Sequence, residues 1–196
     1  MAPTGLPPFA GAVLTGGASR RMGTDKALLA VDGHPLAGVA VAALRGAGAQ
    51  SVSCIGGDLA GLAAAGFDAH PDDHPGEGPL GGICTALRLA PADIVVVLSC
   101  DMPSIDAATV SALVASLADQ PGADVAAPVV DGHVQAITAA YRRSARPGLV
   151  GAFEQGERAV RRALAGLSVQ AIEGLDAHRL ADVDRPEDLP RYARPS

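Results

Sequence analysis

Apolar residues along the chain gather in short runs broken by glycine, proline and charged positions. Residues 93–99 (DIVVVLS) carry β-branched side chains on both faces, the pattern of a central strand in a parallel sheet. Residues 11–15 and 51–55 read as two more short buried strands. Between them, residues 36–47 place apolar side chains at helical spacing, with Pro35 at the start and Gly48 just past the end. Ser104 is a candidate N-cap for a helix over 105–118, whose apolar positions are Val110, Leu113, Val114 and Leu117. Later strands are expected at 125–128 and 134–141, and helices at 158–164 and 186–192. Strand and helix alternate with short links. This predicts a single α/β domain over 1–196: a Rossmann-like, doubly wound, mostly parallel sheet with helices on both faces, loose only at 1–8 and 193–196. Sheets of this kind bind ligands beyond the carboxyl ends of their strands, so the segments that follow strands are where chemistry is expected.

Composition narrows the function classes. With 48% apolar and 18% charged residues in 196, the chain can bury one full core, and disorder is excluded. Aromatics are 3% and Trp is absent, so Ala, Val, Leu and Ile must build that core. A net charge of −6 argues against coating nucleic acid or anionic lipid, whereas a small phosphorylated ligand needs only local cations. The first residues, MAPTGLPPFAGAVLTGG, lack the basic start of a signal peptide, and the apolar run 94–98 is far too short for a bilayer. Cys54, Cys84 and Cys100 form no CxxC pair and read as buried reduced thiols, so a cytoplasmic location is expected. His70 and His74 are four apart, but Pro71 and Pro75 argue against a shared helical face, and no zinc site is expected.

The first strand runs into residues 14–26, LTGGASRRMGTDK. Its glycines let backbone N–H groups converge on one anion, and Arg20, Arg21 and Lys26 add cationic side chains. It is neither a G-x-G-x-x-G fingerprint nor a Walker A loop, since Ala27 stands where a magnesium-binding hydroxyl would be. Of the 15 basic residues, Lys26 is the sole lysine; the chain keeps a compact ammonium only here. Asp101 follows the strongest strand, where a carboxylate can hold a divalent cation against a triphosphate or serve as a cap or turn former. Residues 73–82, DHPGEGPLGG, form a turn leading into a helix. Their small side chains would let a flat base approach the backbone, and a carboxylate such as Asp73 suits the N–H donors of guanine.

The loop resembles the L-x-G-G-x-S-x-R-M-G-x-D-K signature of the molybdenum cofactor guanylyltransferases, within the nucleotidyltransferase superfamily. The likeness continues through GPLGGI at 78–83, CDMP at 100–103, GER at 156–158 and DVDRPEDL at 182–189, and so covers nearly the whole chain. It implies the nucleotide-diphospho-sugar transferase type of fold and transfer of GMP from GTP to the terminal phosphate of molybdopterin. By the same resemblance, Arg21, Lys26 and Asp101 are catalytic, with Asp101 the Mg²⁺ ligand. Leu14, Thr15, Gly16, Gly17, Lys26, Asp73, Gly78, Pro79, Leu80 and Asp101 would bind the nucleotide. Arg158, Asp182 and Asp184 are candidates for the second substrate, and molybdoenzyme apoproteins or their chaperones are the implied partners. The chain departs from the family at Asp182 and Asp184, where relatives carry N-x-N, and at Gly56 and Gly57, near a missing Asn; it contains no asparagine. A helix N-terminus would explain Asp184 equally well. The alternatives are a molybdopterin cytidylyltransferase, a guanylyltransferase for another small phosphate, and a non-catalytic nucleotide-binding chaperone of the cofactor.

Overall fold

The computed structural model describes residues 5–17, 25–31 and 33–183. In chain order the elements are β1 (Phe9–Leu14), β2 (Ala30–Val31), β3 (His34–Pro35), α1 (Ala37–Gly46), β4 (Val52–Ile55), α2 (Leu59–Ala64), β5 (Asp68–His70), α3 (Pro79–Leu89) and β6 (Ile94–Ser99). They continue with α4 (Ala107–Ala118), β7 (Val125–Val130), β8 (His133–Val134), β9 (Ala139–Arg142), α5 (Arg146–Glu154), α6 (Val160–Ala163), β10 (Val169–Ile172) and α7 (Ala177–Leu180). The main sheet runs β10-β7-β9-β6-β1-β4-β5, with β8 paired to β7; β2 and β3 form a separate hairpin.

β1 lies at the middle, parallel to β6 on one side and β4 on the other, and β4 is parallel to β5. β9 is antiparallel to both β6 and β7, while β10 returns parallel to β7. The two-period of the central strands explains why their sequence is apolar throughout. Phe9 and Val13 of β1, with Ile94, Val96 and Leu98 of β6, point into one core layer against α1 and α4. Ala10, Ala12 and Leu14, with Val95 and Val97, point into the other against α3, α5 and α6. Gly11 lets α1 sit close on the sheet, since a Cβ there would fall 2.8 Å from a Leu44 methyl.

Several expected boundaries move. Helix α4 is capped by Asp106, not Ser104: the Asp106 carboxylate accepts the Thr109 N–H at 2.9 Å, and residues 102–105 form a preceding turn. The strand expected over 134–141 is interrupted. β8 closes a hairpin on β7 through Asp131 and Gly132, both at positive φ, and residues 135–138 turn away before β9 enters the sheet. The Tyr141 hydroxyl, buried under that excursion, donates to the Ala136 carbonyl. Helix α6 is shorter than expected and ends in a 3-10 turn. The elements α2, β5, α5, β10 and α7 were not foreseen; each is short or carries glycine or proline inside it. The helix expected over 186–192 and the tails 1–4 and 193–196 lie outside the described residues, while Leu6 packs against the core. Among the described residues no helix is long and apolar enough to cross a membrane.

Candidate nucleotide-binding cleft

A cleft of about 1040 Å³ opens beyond the carboxyl ends of β1, β4 and β6. Its floor is the start of the glycine-rich loop. The Thr15 and Gly16 N–H groups both donate to the Ile55 carbonyl, at 3.0 and 3.1 Å. The buried Thr15 hydroxyl lies 3.1 Å from that same oxygen and 2.8 Å from the Gly56 carbonyl, which locks the loop to the end of β4. Gly56 and Gly57 both have φ +78°, and a Cβ at 57 would lie 2.8 Å from the Thr15 carbonyl and 2.8 Å from Asp25 Oδ2. Only glycine allows that close approach.

Asp25 anchors the returning end of the loop: Oδ1 accepts the Ala27 N–H at 3.0 Å and Oδ2 the Asp58 N–H at 2.6 Å. The anchor holds Lys26 at the cleft wall, where its ammonium donates to Asp101 Oδ2 at 2.8 Å. Ser99, the last residue of β6, donates to the other oxygen of Asp101. The Asp101 carbonyl in turn accepts the Val183 N–H at 2.9 Å, which brings the exposed Asp182 beside the site.

At the other end, Asp73, the acceptor expected from sequence, does not line the cleft. Arg88 grips the Asp73 carboxylate at 2.7 and 2.9 Å and holds it below its usual pKa, away from the cleft lining. Its neighbour Asp72 is the carboxylate that lines this end of the cleft. Its Oδ1 accepts the His74 N–H at 3.0 Å and the Thr85 hydroxyl at 2.9 Å, while Oδ2 takes no bond from a described residue. Nothing in one dimension separates neighbouring aspartates; the distinguishing partners, Thr85 and Arg88, lie on α3. Gly78, at φ +91°, and Pro79 line the cleft at the uncapped start of α3, leaving N–H donors there. Leu80 points instead into the core, fully buried.

Leu14, Thr15, Gly16, Gly17, Lys26 and Asp101 are thus brought together as expected, and Asp72, Asp58 and Ser99 join them. Asp58 Oδ1 caps α2 at 3.1 Å from the Gly61 N–H. Arg158 does not line the cleft; Glu77 and two carbonyls hold its guanidinium. Arg142, Arg143 and Arg146, read from sequence as a basic cluster, donate to backbone carbonyls: Arg142 to Leu117 and Ala123, Arg143 to Ala90 and Arg146 to Cys84. Arg21 and Asp184 lie outside the described residues. Burial pushes the thiol of Cys100, beside Asp101, up to about 12, so it is no nucleophile at neutral pH.

Residues 11–171 match the family model of the MobA-like NTP transferase domain. The chain belongs to that family. A probable molybdenum cofactor guanylyltransferase of Opitutus terrae is 36% identical over 195 residues, covering 95% of each chain. A molybdenum cofactor guanylyltransferase of Pseudomonas putida is 32% identical over 196 residues, covering 95% of this chain and 98% of its own. Among solved structures, the molybdopterin-guanine dinucleotide biosynthesis protein A of Archaeoglobus fulgidus superposes with a TM-score of 0.75 at 25% identity, over 93% of this chain and 96% of that one. For a MobA-like NTP transferase the cleft holds a compact set of charges: Lys26 is the one described cation in its lining, against Asp25, Asp58, Asp72 and Asp101. Asp25 spends both oxygens on backbone N–H groups and Asp58 spends one on the α2 cap; Asp72 keeps one oxygen with no described partner, and Asp101 is paired with Lys26 and Ser99.

Proposed function

We propose that the chain transfers GMP from GTP to the terminal phosphate of molybdopterin, releasing pyrophosphate. The observation that carries this reading is the Lys26–Asp101 pair at the carboxyl ends of β1 and β6, in the same cleft as the half-free carboxylate of Asp72. The pair suits the triphosphate end. The second carboxylate, beside the small residues Gly76, Gly78 and Gly82, suits a flat base with N–H donors, which guanine presents.

A phosphate monoester is largely dianionic at neutral pH, so the acceptor needs no general base. One of its oxygens forms a bond to the α-phosphorus of GTP; the bond from that phosphorus to the bridging oxygen breaks, and pyrophosphate carries away the electron pair. The chain's contribution is alignment of two anions and neutralisation of their charge. Thr15, Gly16 and Gly17 present backbone to the nucleotide, Lys26 leaves Asp101 to meet a phosphate oxygen, and Arg21 is proposed as a second cation.

The donor set fits a hard divalent cation. No described cluster of three or more His, Cys, Asp or Glu side chains could cage a metal ion, and one carboxylate completed by triphosphate oxygens and water is the usual provision for Mg²⁺. Asp101 would hold it; when bound, the ion supplies charge stabilisation at the phosphates. Titration calorimetry with GTP, CTP and ATP in the presence of Mg²⁺ tests the reading. GTP is expected to bind at least about tenfold tighter than the others, a difference of about 1.4 kcal/mol. Preference for CTP would make the enzyme a cytidylyltransferase, and binding of none would overturn the site.

A further inference from the structure

The loop 73–78 presents Pro75, Gly76 and Gly78 to the cleft and turns His74 and Glu77 outward. Both outward residues are held by the end of α5 and the segment that joins it to α6. The His74 ring lies against Phe153, with centroids 4.3 Å apart. The Arg158 guanidinium stacks on the same Phe153 ring at 3.9 Å and donates to Glu77 Oε2 at 2.6 Å. The guanidinium is also fixed from its own side, since Nη1 donates to the Phe153 and Glu157 carbonyls at 2.8 and 2.9 Å. Gly156, at φ +92°, ends α5, and the Glu157 carboxylate accepts the Arg158 and Ala159 N–H groups, both at 2.7 Å. All three residues of the G-E-R motif thus serve to aim one guanidinium at a loop 81 residues away.

We infer that Glu77, Phe153 and Arg158 form a clamp that holds the base-binding loop in shape, making them positioning residues for nucleotide selectivity rather than contacts for the second substrate. The inference rests on the reading of the cleft as a GTP site. A loop whose recognition surface is mostly glycine and proline has no side-chain packing of its own to fix it, so its geometry depends on what grips its outer face. The guanidinium of Arg158 supplies two grips at once, a charged hydrogen bond and a ring stack.

Calorimetric GTP and ATP affinities of wild type, Glu77→Gln, Arg158→Ala and Arg158→Lys, followed by steady-state transfer to molybdopterin, test the clamp. Arg158→Ala is expected to weaken GTP roughly tenfold, about 1.4 kcal/mol by the affinity scale, and to narrow its margin over ATP. Glu77→Gln is expected to weaken it roughly threefold, and Arg158→Lys to recover part of the loss through the charge alone. The loss falls on nucleotide Kd and KM, and the KM for molybdopterin stays put. An Arg158 that bound the acceptor phosphate would do the reverse: GTP affinity unchanged and acceptor KM raised, with Glu77→Gln silent. That result overturns the clamp and leaves the guanylyltransferase reading intact. A wild type that binds no nucleoside triphosphate overturns that reading, and the clamp with it. Circular dichroism and melting of each variant separate a loosened loop from an unfolded chain, and a global loss of fold in the mild Glu77→Gln would also contradict a local clamp.

Discussion

The two ends of the cleft are built by different means. The end at Lys26 and Asp101 rests on the buried strands β1 and β6, whose pairing runs from Phe9 and Ile94 to Leu14 and Ser99. The end at residues 72–79 is a surface loop, gripped on one flank by Arg88 and on the other by Arg158, with these side chains 44% and 41% exposed. Chemistry that tolerates little displacement sits on the rigid sheet, and recognition sits on a loop whose shape other surface elements can adjust. Substitutions at the first end should therefore abolish turnover with little change in binding selectivity, and substitutions at the second should do the opposite.

The largest effect is expected at the sheet end. Asp101→Asn should lower transfer by about a thousandfold or more, the scale of removing a principal electrostatic contact, while the melting temperature changes little. Lys26→Gln should also lose turnover, yet bind Mn²⁺ alone more tightly than wild type, because the ammonium no longer competes for Asp101 Oδ2; electron paramagnetic resonance of free Mn²⁺ reads this directly. Retained transfer in Asp101→Asn would break the contrast between the two ends.

The loop end makes a sharper comparison between neighbours. Asp72→Asn should weaken GTP by about ten- to a hundredfold, since a charge-assisted acceptor is lost in a partly desolvated site. Asp73→Asn should leave GTP affinity within about twofold, because that carboxylate only pairs with Arg88 in an exposed bridge. Equal effects of the two would show that the loop inverts on binding.

The smallest effect concerns the clamp's foundation. Arg162 and the N–H groups of Ala159 and Arg158 draw the Glu157 carboxyl down to about 2. Its folded pKa lies below the unfolded value of about 4.3, so the interaction contributes in full above that value and is lost as pH falls toward 2. The protection of the α6 amides against hydrogen exchange, taken relative to the intrinsic rate at each pH, should fall over that acid range in wild type, and Glu157→Gln should lower it at neutral pH as well.

How much of this was legible in the sequence follows the same division. β1, β4 and β6 could be read because buried parallel strands are apolar on both faces, and with them came Thr15 and Gly16 just after β1, Asp101 just after β6, and Lys26 at the far end of the loop that β1 enters. The mixed half of the sheet was harder. β9 lies antiparallel between β6 and β7, so residues 134–141 had to break where one pattern suggested a single strand. The loop end was legible as a motif but not as geometry. Choosing between Asp72 and Asp73 depends on Thr85 and Arg88 one helix later, and the task of Arg158 depends on Glu77, 81 positions earlier. Position along the chain carries no sign of such pairings.

Guanylyl transfer is proposed for the cleft between Asp72 and Asp101. The most direct measurement incubates the wild-type protein with molybdopterin, Mg²⁺ and equal concentrations of GTP and CTP, and identifies the dinucleotide and pyrophosphate by mass spectrometry. Molybdopterin guanine dinucleotide and pyrophosphate are expected in equal amounts, with the cytosine product a minor species. Cytosine dinucleotide as the main product, or nucleotide consumed without any pterin dinucleotide, would contradict the proposal.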